Sequence, residues 1–315
     1  MHVFVTGASG WVGSALLPDL LSHGHTVLAL ARSDDAAKKL EAQGVEVQRG
    51  SLEDLDSIRE GAIKADGVVH LAFKHDFENY VANGKLDEQV VNTICEALRG
   101  TNKPFVLASG TAFFAFDSTR DLSVPAKEDD TFPDFLHQAP RVASHLLAMK
   151  YASLRVRTAV VRLPPSVHGS GDYGFVPALI GSALTNGFAA VVAGAEPTYW
   201  PACHVRDAAT LFRLALEKAP AGSSFHAVGD GDGLTFQEMA SIIGEKLDVP
   251  VKEVAAGEEA EKALGFLARF ATVRNLVSAE QTKEVLGWQP KEKTLQEELR
   301  EEGSSYFRSA SSSPQ

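Results

Sequence analysis

A glycine-rich turn near the N-terminus constrains the fold of this chain more than any other feature. Residues 3–5 are apolar, Gly7, Gly10 and Gly13 follow at intervals of three, and residues 14–21 favour a helix. In a strand–turn–helix of this kind, backbone N–H groups and the helix N-terminus bind a diphosphate. Glycine spacing alone is a weak signal, but the flanking strand and helix are the context that makes it specific. The turn therefore predicts a dinucleotide-binding unit.

Each glycine of the turn has a separate role. Gly7 permits the sharp turn, Gly10 leaves room for the diphosphate, and Gly13 allows the helix to pack closely on the strand. An ordinary glycine-rich loop is the alternative interpretation. The residues expected to contact the cofactor here are Thr6, Gly7, Ser9, Gly10, Trp11, Val12 and Gly13.

Apolar runs and helix-forming runs alternate through the first half of the chain. The runs that predict strands are 3–6, 26–31, 45–48, 67–72, 105–109 and 158–163. Continuous apolar strands between helices are typical of a parallel sheet that is covered on both faces. We therefore predict an α/β fold, a doubly wound parallel sheet (the Rossmann fold), with ligands at the carboxyl ends of its strands.

The second half of the chain is less regular and predicts a smaller, mixed α/β region that binds the substrate. A loop rich in glycine and proline follows the sixth strand, and a weakly patterned stretch follows residue 254. The predicted nucleotide-binding domain covers residues 1–165 and 203–230, the substrate-binding region covers residues 166–202 and 231–308, and residues 309–315 form a flexible tail.

Composition argues against several classes of protein. The formal charge of −11 and the lack of a Lys/Arg cluster disfavour nucleic-acid binding. Cys95 and Cys203 are far apart, which disfavours a disulfide scaffold and a zinc site. No apolar run is long enough to cross a membrane, and a strand from residue 2 leaves no room for a signal peptide. We expect a cytoplasmic protein that acts on a small molecule and binds no metal, nucleic acid or membrane.

The end of the second strand indicates which nicotinamide cofactor binds. An NAD-binding strand usually ends in an acid that binds the ribose 2′-hydroxyl, but Ala31 has that position here. Arg32 follows and can pair with a 2′-phosphate, to which Ser33 can add a hydrogen bond. The sequence therefore favours NADP(H) over NAD(H). The alternative is that Arg32 is solvated and that Asp34 or Asp35 supplies the acid.

Further cofactor contacts are expected at the carboxyl ends of the other strands. Ser51 and Leu52 follow the third strand, beside the adenine, and residues 71–73 follow the fourth strand, along the diphosphate and ribose. The complete predicted set at these ends is Ser51, Leu52, Leu71, Ala72, Phe73, Ser109, Leu163, Pro164 and Val167.

Five short motifs occur in the order and spacing of one known family. They are TGASGWVG at 6–13, VHLA at 69–72, RLPPSVHG at 162–169, HVRDA at 204–208 and LGWQP at 286–290. By these motifs the chain resembles the extended short-chain dehydrogenase/reductase family, which includes nucleotide-sugar epimerases and dehydratases, and ketone reductases of the dihydroflavonol type. The resemblance covers residue 2 to about residue 300, and none of the motifs defines the substrate.

The chain departs from this family at the catalytic pair. The family resemblance implies a Tyr and a Lys spaced Y-x-x-x-K: the tyrosine protonates the carbonyl oxygen as hydride arrives, and the lysine lowers the pKa of that tyrosine and binds the nicotinamide ribose. No Y-x-x-x-K occurs in this chain. When the chain is aligned on Ser144, Arg141 has the tyrosine position and His145 has the lysine position.

The resemblance also implies a Ser or Thr after the fifth strand that polarises the substrate oxygen. Ser109 and Thr111 are the candidates, and Gly110 lies between them in the catalytic position. Arg141 and His145 are four residues apart, so both can face one cleft. One hypothesis is that His145, whose free pKa is near 6.5, donates the proton while Arg141 or Thr111 stabilises the oxyanion. The alternative is that this helix has lost its catalytic function.

Aromatic residues predict the character of the substrate pocket. The expected lining is Phe113, Phe114, Phe116, Phe175, Tyr199 and Trp200, and the predicted substrate contacts are Phe113, His168, Phe175, Tyr199 and Trp200. This lining suits a bulky hydrophobic or aromatic carbonyl compound better than a sugar nucleotide, whose diphosphate needs more basic residues. The alternative is that several of these aromatics belong to the core and that His168 and His204 only hold loops.

Together these features predict an NADPH-dependent oxidoreductase that reduces a carbonyl, or an activated double bond, of a small hydrophobic or aromatic molecule. The missing Tyr/Lys pair leaves two alternatives: a non-redox isomerase, cyclase or dehydratase on the same scaffold, or a cofactor-sensing binding protein without turnover. Two helices, at 87–99 and 141–153, match the pair through which many members of the resembled family form a homodimer.

Overall fold

The computed structural model describes residues 1–76, 78–194, 198–231 and 233–308, so the predicted tail at 309–315 lies outside the described residues. The described strands are β1 (His2–Thr6), β2 (Thr26–Ala31), β3 (Glu46–Arg49), β4 (Gly67–His70), β5 (Pro104–Gly110), β6 (Arg157–Leu163), β7 (Ser166–His168), β8 (Ala189–Val192), β9 (Tyr199–Trp200), β10 (Ala202–His204), β11 (Ser223–His226), β12 (Leu234–Thr235) and β13 (Val251–Val254).

The described α-helices are α1 (Trp11–Ser22), α2 (Asp34–Glu41), α3 (Leu55–Lys64), α4 (Tyr80–Leu98), α5 (Val142–Lys150), α6 (Phe175–Asn186), α7 (Val205–Lys218), α8 (Phe236–Leu247), α9 (Glu258–Leu264), α10 (Glu280–Leu286) and α11 (Leu295–Arg300). Short 3₁₀ helices cover Ala112–Phe116, Asp134–Leu136, Tyr151–Leu154 and Gly265–Arg269.

Seven of the described strands form one parallel sheet in the order β11-β6-β5-β4-β1-β2-β3. This order confirms the predicted doubly wound sheet. The strand order reverses between β1 and β4, and ligands bind at such a switch point, outside the carboxyl ends of the strands. Thr6 lies beside His70 at this point, and Ser109 lies beside Arg162 two strands further along.

Both faces of the sheet are covered by helices. On one face, α1 and α7 pack with buried side chains such as Leu16, Leu20 and Phe212. On the other face, α3, α4 and α5 pack with Ile58 and Val91. Strands that are buried on both faces must be apolar throughout, which is why the continuous apolar runs of the sequence predicted them correctly.

A separate core lies in the C-terminal region. It is built from α6, α8, α9 and the parallel pair β8–β13, with Val176, Trp200 and Met239 fully buried. The sequence did not predict the short strand pairs β10–β7, β12–β9 and β13–β8, because strands of two to four residues are formed by their tertiary partners. This mixed α/β core agrees with the predicted smaller region, whereas the assigned domain boundaries stay a prediction.

Some helix ends differ from the predicted ones. Helix α4 begins at Tyr80 instead of residue 87, and α5 ends at Lys150 and continues as a 3₁₀ turn. Within the described part of the chain, no helix is both long and apolar enough to span a bilayer. The cytoplasmic location stays a prediction.

Candidate cofactor and catalytic site

The glycine turn is tightly packed against the exit of β4. Gly7 has φ +73°, and a Cβ atom there would lie 2.7 Å from the backbone nitrogen of Ala72. A Cβ atom on Gly13 would lie 2.2 Å from the carbonyl oxygen of Gly7. Both positions therefore require glycine for steric reasons. Gly10 is the N-cap of α1, and no described side chain accepts hydrogen bonds from the first N–H groups of this helix. The first turn also has no acidic residue, so these N–H groups suit an anion.

Trp11 connects the glycine turn to the segment after β6. Its indole N–H donates a hydrogen bond to the carbonyl of Val167 at 2.6 Å, and its ring meets the exposed Tyr173 edge-on at 5.9 Å. In the same turn Ser9 is exposed and Val12 is half-buried. The predicted cofactor contacts Trp11 and Val167 are thus held together across the switch point.

Two arginines flank the end of β2. Arg32 is exposed directly after this strand, and Arg49 ends β3, where the sheet register places it beside Ala31. Arg49 donates hydrogen bonds to the carbonyls of Ser33 and Arg32, and it pairs with Asp34 at 2.9 Å. The sequence interpretation missed Arg49, because only the parallel register brings the ends of β2 and β3 together. The carboxylate of Asp34 therefore already has a cationic partner.

The other predicted contacts lie at the strand ends with differing exposure. Ser51 and Leu52 follow β3, and Leu52 packs partly against the core on the α3 face. Leu163 is half-buried at the end of β6, where its carbonyl accepts from the N–H of Thr111 at 2.9 Å, and Pro164 is buried.

A buried chain of polar side chains runs from the glycine turn to the start of α5. The hydroxyl of Thr6 and Nδ1 of His70 are 2.5 Å apart, and Nε2 of His70 is 3.2 Å from the carboxylate of Asp87. Asp87 in turn lies 3.6 Å from the guanidinium of Arg141. Burial alone would raise the pKa of Asp87, but the charge of Arg141 and the His70 hydrogen bond outweigh it and lower that pKa. Asp87 is therefore an anion that holds Arg141 in place.

Arg141 has an unusual backbone conformation at the N-cap of α5. Its φ is +72° with ψ −35°, a region that costs free energy for a residue with a Cβ atom. This conformation directs the side chain toward the sheet, where Nη2 donates to the carbonyl of Ala108 at 2.5 Å. The guanidinium also lies 4.5 Å from the centre of the Phe73 ring. A fixed positive charge thus stands beside a predicted cofactor contact.

His145 does not share this position. It is fully buried, its Nε2 lies 3.4 Å from the hydroxyl of Ser224 on β11, and its ring meets Phe132 edge-on. Burial lowers its pKa well below the ordinary value, and the charge of Arg162 lowers it further. The expectation that Arg141 and His145 face one cleft is therefore corrected. The positive φ of Arg141 turns its side chain toward β5, whereas the regular helix directs His145 toward β11.

The two hydroxyl candidates after β5 are both buried. Ser109 is 4% exposed, and its hydroxyl has no hydrogen-bond partner in the described structure. Thr111 is fully buried, and its hydroxyl accepts from the side-chain amide of Asn275 at 3.2 Å. Thr111 thus connects the end of β5 to the C-terminal region. Asn275 was not among the candidates, and no local sequence signal marks it.

The predicted aromatic lining is divided between core and surface. Trp200 is buried in the C-terminal core, where its indole donates to Ser166 at 2.6 Å, so its ring offers no face to a substrate. Phe114 is also buried and stacks on Phe132, against which the half-buried Phe113 lies edge-on. Two of the six aromatics of the predicted lining, Phe114 and Trp200, are therefore core residues, as the alternative interpretation had it.

Phe116 and Phe175 of the predicted lining belong to a cluster that also contains Phe266 and Phe270. Phe175 lies 5.1 Å from Phe270 and 5.3 Å from Phe266, and Phe270 also meets Phe116. Phe116 and Phe266 are each 42% exposed, so an apolar surface is open to solvent here. Tyr199 lies nearby under the guanidinium of Arg274, at 5.2 Å, and the backbone N–H of Asn275 donates to its carbonyl.

His168 belongs to a buried ionic cluster and not to a substrate surface. Its Nδ1 is 2.8 Å from Glu298, and its Nε2 is 3.3 Å from Asp230. Burial opposes the charged form, but the hydrogen bonds to Asp230 and Glu298 dominate and raise the pKa of His168 to about 9. His204 lies edge-on beside it and caps α7 by accepting from the N–H of Arg206. Both histidines therefore have the structural role that the alternative interpretation gave them.

The structure describes no metal centre. Among the described residues, no three or more His, Cys, Asp or Glu side chains are grouped so that they could hold a metal ion. Cys95 and Cys203 are buried, unpaired thiols, and burial raises the pKa of each well above its ordinary value.

Comparison with known proteins identifies the family. The model of the NAD-dependent epimerase/dehydratase family matches residues 3–228, which span the glycine turn, the buried polar chain and the whole parallel sheet. The chain belongs to the NAD-dependent epimerase/dehydratase family. This family agrees with the resemblance to the extended short-chain dehydrogenase/reductase family that was seen in the motifs.

Relatives of this family member cover most of its length. It is 44% identical over 299 residues to an uncharacterized protein of Schizosaccharomyces pombe. This alignment covers 95% of this chain and 98% of the relative. It is 30% identical over 254 residues to 4-hydroxy-2-methyl-3-oxo-4-farnesyl-3,4-dihydroquinoline-1-oxide ketoreductase of Stigmatella aurantiaca, covering 78% of this chain and 73% of the relative.

Solved structures show the same fold at low sequence identity. A dTDP-glucose 4,6-dehydratase from Bacillus anthracis in complex with NAD superposes with a TM-score of 0.75 at 16% identity. That comparison covers 99% of this chain and 97% of the dehydratase. The Rossmann fold and the smaller C-terminal region are therefore shared, whereas the substrate is not defined by this likeness.

Proposed function

We propose that this family member is an NADPH-dependent oxidoreductase that reduces a carbonyl, or an activated double bond, of a small hydrophobic or aromatic molecule. The observation that carries the proposal is the pair of arginines at the ends of β2 and β3. Arg32 and Arg49 provide two guanidinium groups for a 2′-phosphate, and the carboxylate of Asp34 is paired with Arg49. A phosphate bound by guanidinium groups forms strong, charge-assisted hydrogen bonds.

The rest of the cofactor site also fits a dinucleotide. The cradle formed by Gly7 and Gly13 has no space for a Cβ atom, and the uncapped N-terminus of α1 suits a diphosphate. Bound NADPH supplies a hydride from its reduced nicotinamide ring. Arg141 contacts Asp87 and the carbonyl of Ala108, and in this proposal its positive charge would stabilise the negative charge that develops during the reduction.

A hydrophobic substrate is supported by the cluster of Phe116, Phe175, Phe266 and Phe270. Apolar rings that remain partly exposed at a domain junction are typical of a ligand pocket. The Stigmatella aurantiaca relative is named as a ketoreductase of a farnesyl-bearing quinoline oxide, which also supports a large apolar carbonyl compound.

The test is a spectrophotometric assay with purified protein, NADPH and a panel of aliphatic and aromatic aldehydes and ketones. Loss of the reduced-nicotinamide absorbance in the presence of one carbonyl compound is the expected result. NADPH binding without oxidation would contradict reductase activity, and product formation without NADPH consumption would identify a non-redox isomerase, cyclase or dehydratase. The missing Y-x-x-x-K pair is the observation that favours that second function.

Arg32 and Arg49 together are expected to set the preference for NADPH. In the double variant Arg32→Gln/Arg49→Gln, the dissociation constant for NADPH is expected to rise about 10-fold to 100-fold. This loss of about 1.4–2.7 kcal/mol is close to the net contribution of one hydrogen bond to a charged group, about 1.5–3 kcal/mol. Binding of NADH, which has no 2′-phosphate, changes little. Isothermal titration calorimetry with both cofactors measures the effect.

The matched control for this prediction is Arg59→Gln, which removes an exposed arginine of α3 that pairs with Asp56 on its own helix. That variant keeps the affinity of the unmodified protein for both cofactors. An equal loss of NADPH and NADH affinity in the double variant would show that the two arginines only shape the loop after β2.

We also propose that α4 and α5 form the contact between two copies of the chain. A shallow groove of about 600 Å³ runs along α5, with Ala143, Leu146, Leu147 and Met149 on its wall and Glu88 of α4 beside them. Apolar side chains on an outer helix face favour burial against a partner. Sedimentation velocity at micromolar concentration is expected to show a dimer, and a single monomeric species would refute this contact.

A further inference from the structure

The proposed reduction needs a proton donor, and α5 does not present one. The family position of the tyrosine holds Arg141, an arginine that keeps its proton, and His145 is buried toward β11. A donor beside Arg141 therefore has to come from another element. The segment between β4 and α4 reaches Arg141, because Arg141 lies over the ring of Phe73 in this segment.

Three side chains that can carry charge or a proton surround the Phe73 ring. The guanidinium of Arg141 lies 4.5 Å above its centre. His75 and Tyr80 meet the same ring edge-on, at 5.2 Å and 5.7 Å between ring centres. Tyr80 is the first residue of α4 and half-buried, while His75 is exposed to solvent. A phenol, an imidazole and a guanidinium therefore all contact the Phe73 ring, near the carboxyl end of β4.

The charges around Tyr80 come from two helices. Burial raises the pKa of the Tyr80 phenol, the positive charge of Arg141 on α5 opposes this rise, and the negative charge of Asp87 on α4 adds to it. The result is a phenol that stays protonated through neutral pH. Desolvation of the imidazole by the atoms packed beside it and the charge of Arg141 lower the pKa of His75, so its imidazole is neutral at the same pH. Tyr80 thus carries a proton that it can donate. The positive charge of Arg141 would stabilise the phenolate that forms.

We propose that Tyr80, and not a residue of α5, donates the proton in the reduction, with Arg141 stabilising the phenolate; this inference rests on the proposed reductase function. As the carbonyl carbon accepts hydride from the reduced nicotinamide, the electron pair of the C=O π bond moves onto oxygen. The O–H bond of Tyr80 breaks, its proton forms the new O–H bond of the alcohol, and the electron pair stays on the phenolate. Solvent then returns a proton to the phenolate.

The arrangement separates two roles that the family places on one helix. In Y-x-x-x-K the phenol and the cation are four residues apart, whereas here α4 supplies the phenol and α5 supplies the cation. The polar chain Thr6–His70–Asp87 would then act on Arg141, because Asp87 at its end lies 3.6 Å from the guanidinium. In this scheme Asp87 and His70 are positioning residues.

The first test measures the coupling of Tyr80 and Arg141 without any reaction. In protein labelled with ¹³C at tyrosine Cζ, the five tyrosine signals are titrated by NMR, and Tyr80→Phe identifies the Tyr80 signal. In Arg141→Met the pKa of Tyr80 is expected to rise by about one unit, the lower end of the effect of a nearby opposite charge. In Arg141→Lys, which keeps the charge, it stays close to the unmodified value.

The matched control for the titration is Arg99→Met. The charge of Arg99 lowers the pKa of Tyr151. This variant is therefore expected to raise the pKa of Tyr151 and to leave the pKa of Tyr80 unchanged. If Arg141→Met leaves the titration of Tyr80 unchanged, the two side chains are not coupled and the inference is wrong.

The second test measures turnover. Tyr80→Phe is expected to lower kcat about 100-fold or more, the usual effect of losing a general acid, while NADPH affinity stays within about twofold. Tyr151→Phe is the control with unchanged kcat, since its hydroxyl only bonds Asn92 and Glu96 on α4. An active Tyr80→Phe variant overturns the inference and leaves the reductase function standing. A wild-type protein that reduces no carbonyl compound overturns both, because a proton donor without a reduction has no role.

Discussion

Replacing Gly13 by alanine is expected to prevent NADPH binding and to destabilise the protein. A Cβ atom at this position would lie 2.2 Å from the carbonyl oxygen of Gly7 and 2.7 Å from that of Ala8. Both obstacles are backbone atoms of the same turn, so they can move only if the turn changes shape. Overpacking of this kind costs about 1–3 kcal/mol, and a displaced turn no longer directs its N–H groups at the diphosphate.

The measurements are urea unfolding of the apo protein and calorimetric titration with NADPH. We expect the dissociation constant to rise about 100-fold or more, which corresponds to about 2.7 kcal/mol of binding free energy. The matched control is Gly181→Ala on α6, because among the described residues only its own helix comes within 4 Å of the Cβ position there. That control keeps NADPH binding and gains about 0.5–1 kcal/mol from the higher helix propensity of alanine. Equal behaviour of the two variants would mean that the turn does not bind the cofactor.

The free energy of unfolding is expected to fall by about 3 kcal/mol between pH 6.5 and pH 9 through His168 alone. Its folded pKa of about 9 lies above the ordinary value of 6.5, because Glu298 and Asp230 stabilise the imidazolium more than burial destabilises it. A raised pKa means that the stabilisation is complete below pH 6.5. It is lost as the pH rises from 6.5 through 9, where the folded protein also releases the proton.

The measurement is the urea midpoint at several pH values between 6 and 9.5. In His168→Gln this alkaline loss disappears, and the difference from the unmodified protein is largest at the acidic end of the range. His23→Gln is the matched control, because His23 is a surface residue whose contact is with Asp19 on the same helix. If His168→Gln keeps the same pH slope as the unmodified protein, the imidazolium is not part of this cluster.

The cluster around His168 joins segments that are far apart in the sequence. His168 ends β7, whereas Glu298 lies on α11. Asp207 on α7 makes a similar connection, because its carboxylate accepts from the backbone N–H groups of Lys291 and Glu292. The family motifs HVRDA and LGWQP therefore meet in space: Trp288 of the second donates to the carbonyl of Asp207 of the first at 2.9 Å. These motifs carry structural information and do not define the substrate.

The candidate site was predictable where it depends on neighbours in sequence. The glycine turn, Trp11 and Arg32 belong to local patterns with a fixed geometry. The structure places the turn and Trp11 at the switch point of the sheet, and Arg32 at the end of β2. Arg49 was not predictable in the same way, because it approaches Arg32 only through strand register. The roles of His70 and Asp87 were missed for the same reason: 17 residues separate them in sequence, and only the packing of α4 on the sheet brings them to 3.2 Å.

The sequence by itself determined the doubly wound sheet. Buried parallel strands must be continuously apolar, and the glycine turn is specific because a strand precedes it and a helix follows it. Tertiary structure alone decided where the side chains of α5 point. Equal spacing on a helix predicted one face for Arg141 and His145, but the positive φ of Arg141 sends it to Phe73 and Tyr80, while His145 is buried toward β11. A backbone angle at a helix start depends on what the helix packs against, and no local pattern of residues encodes that environment.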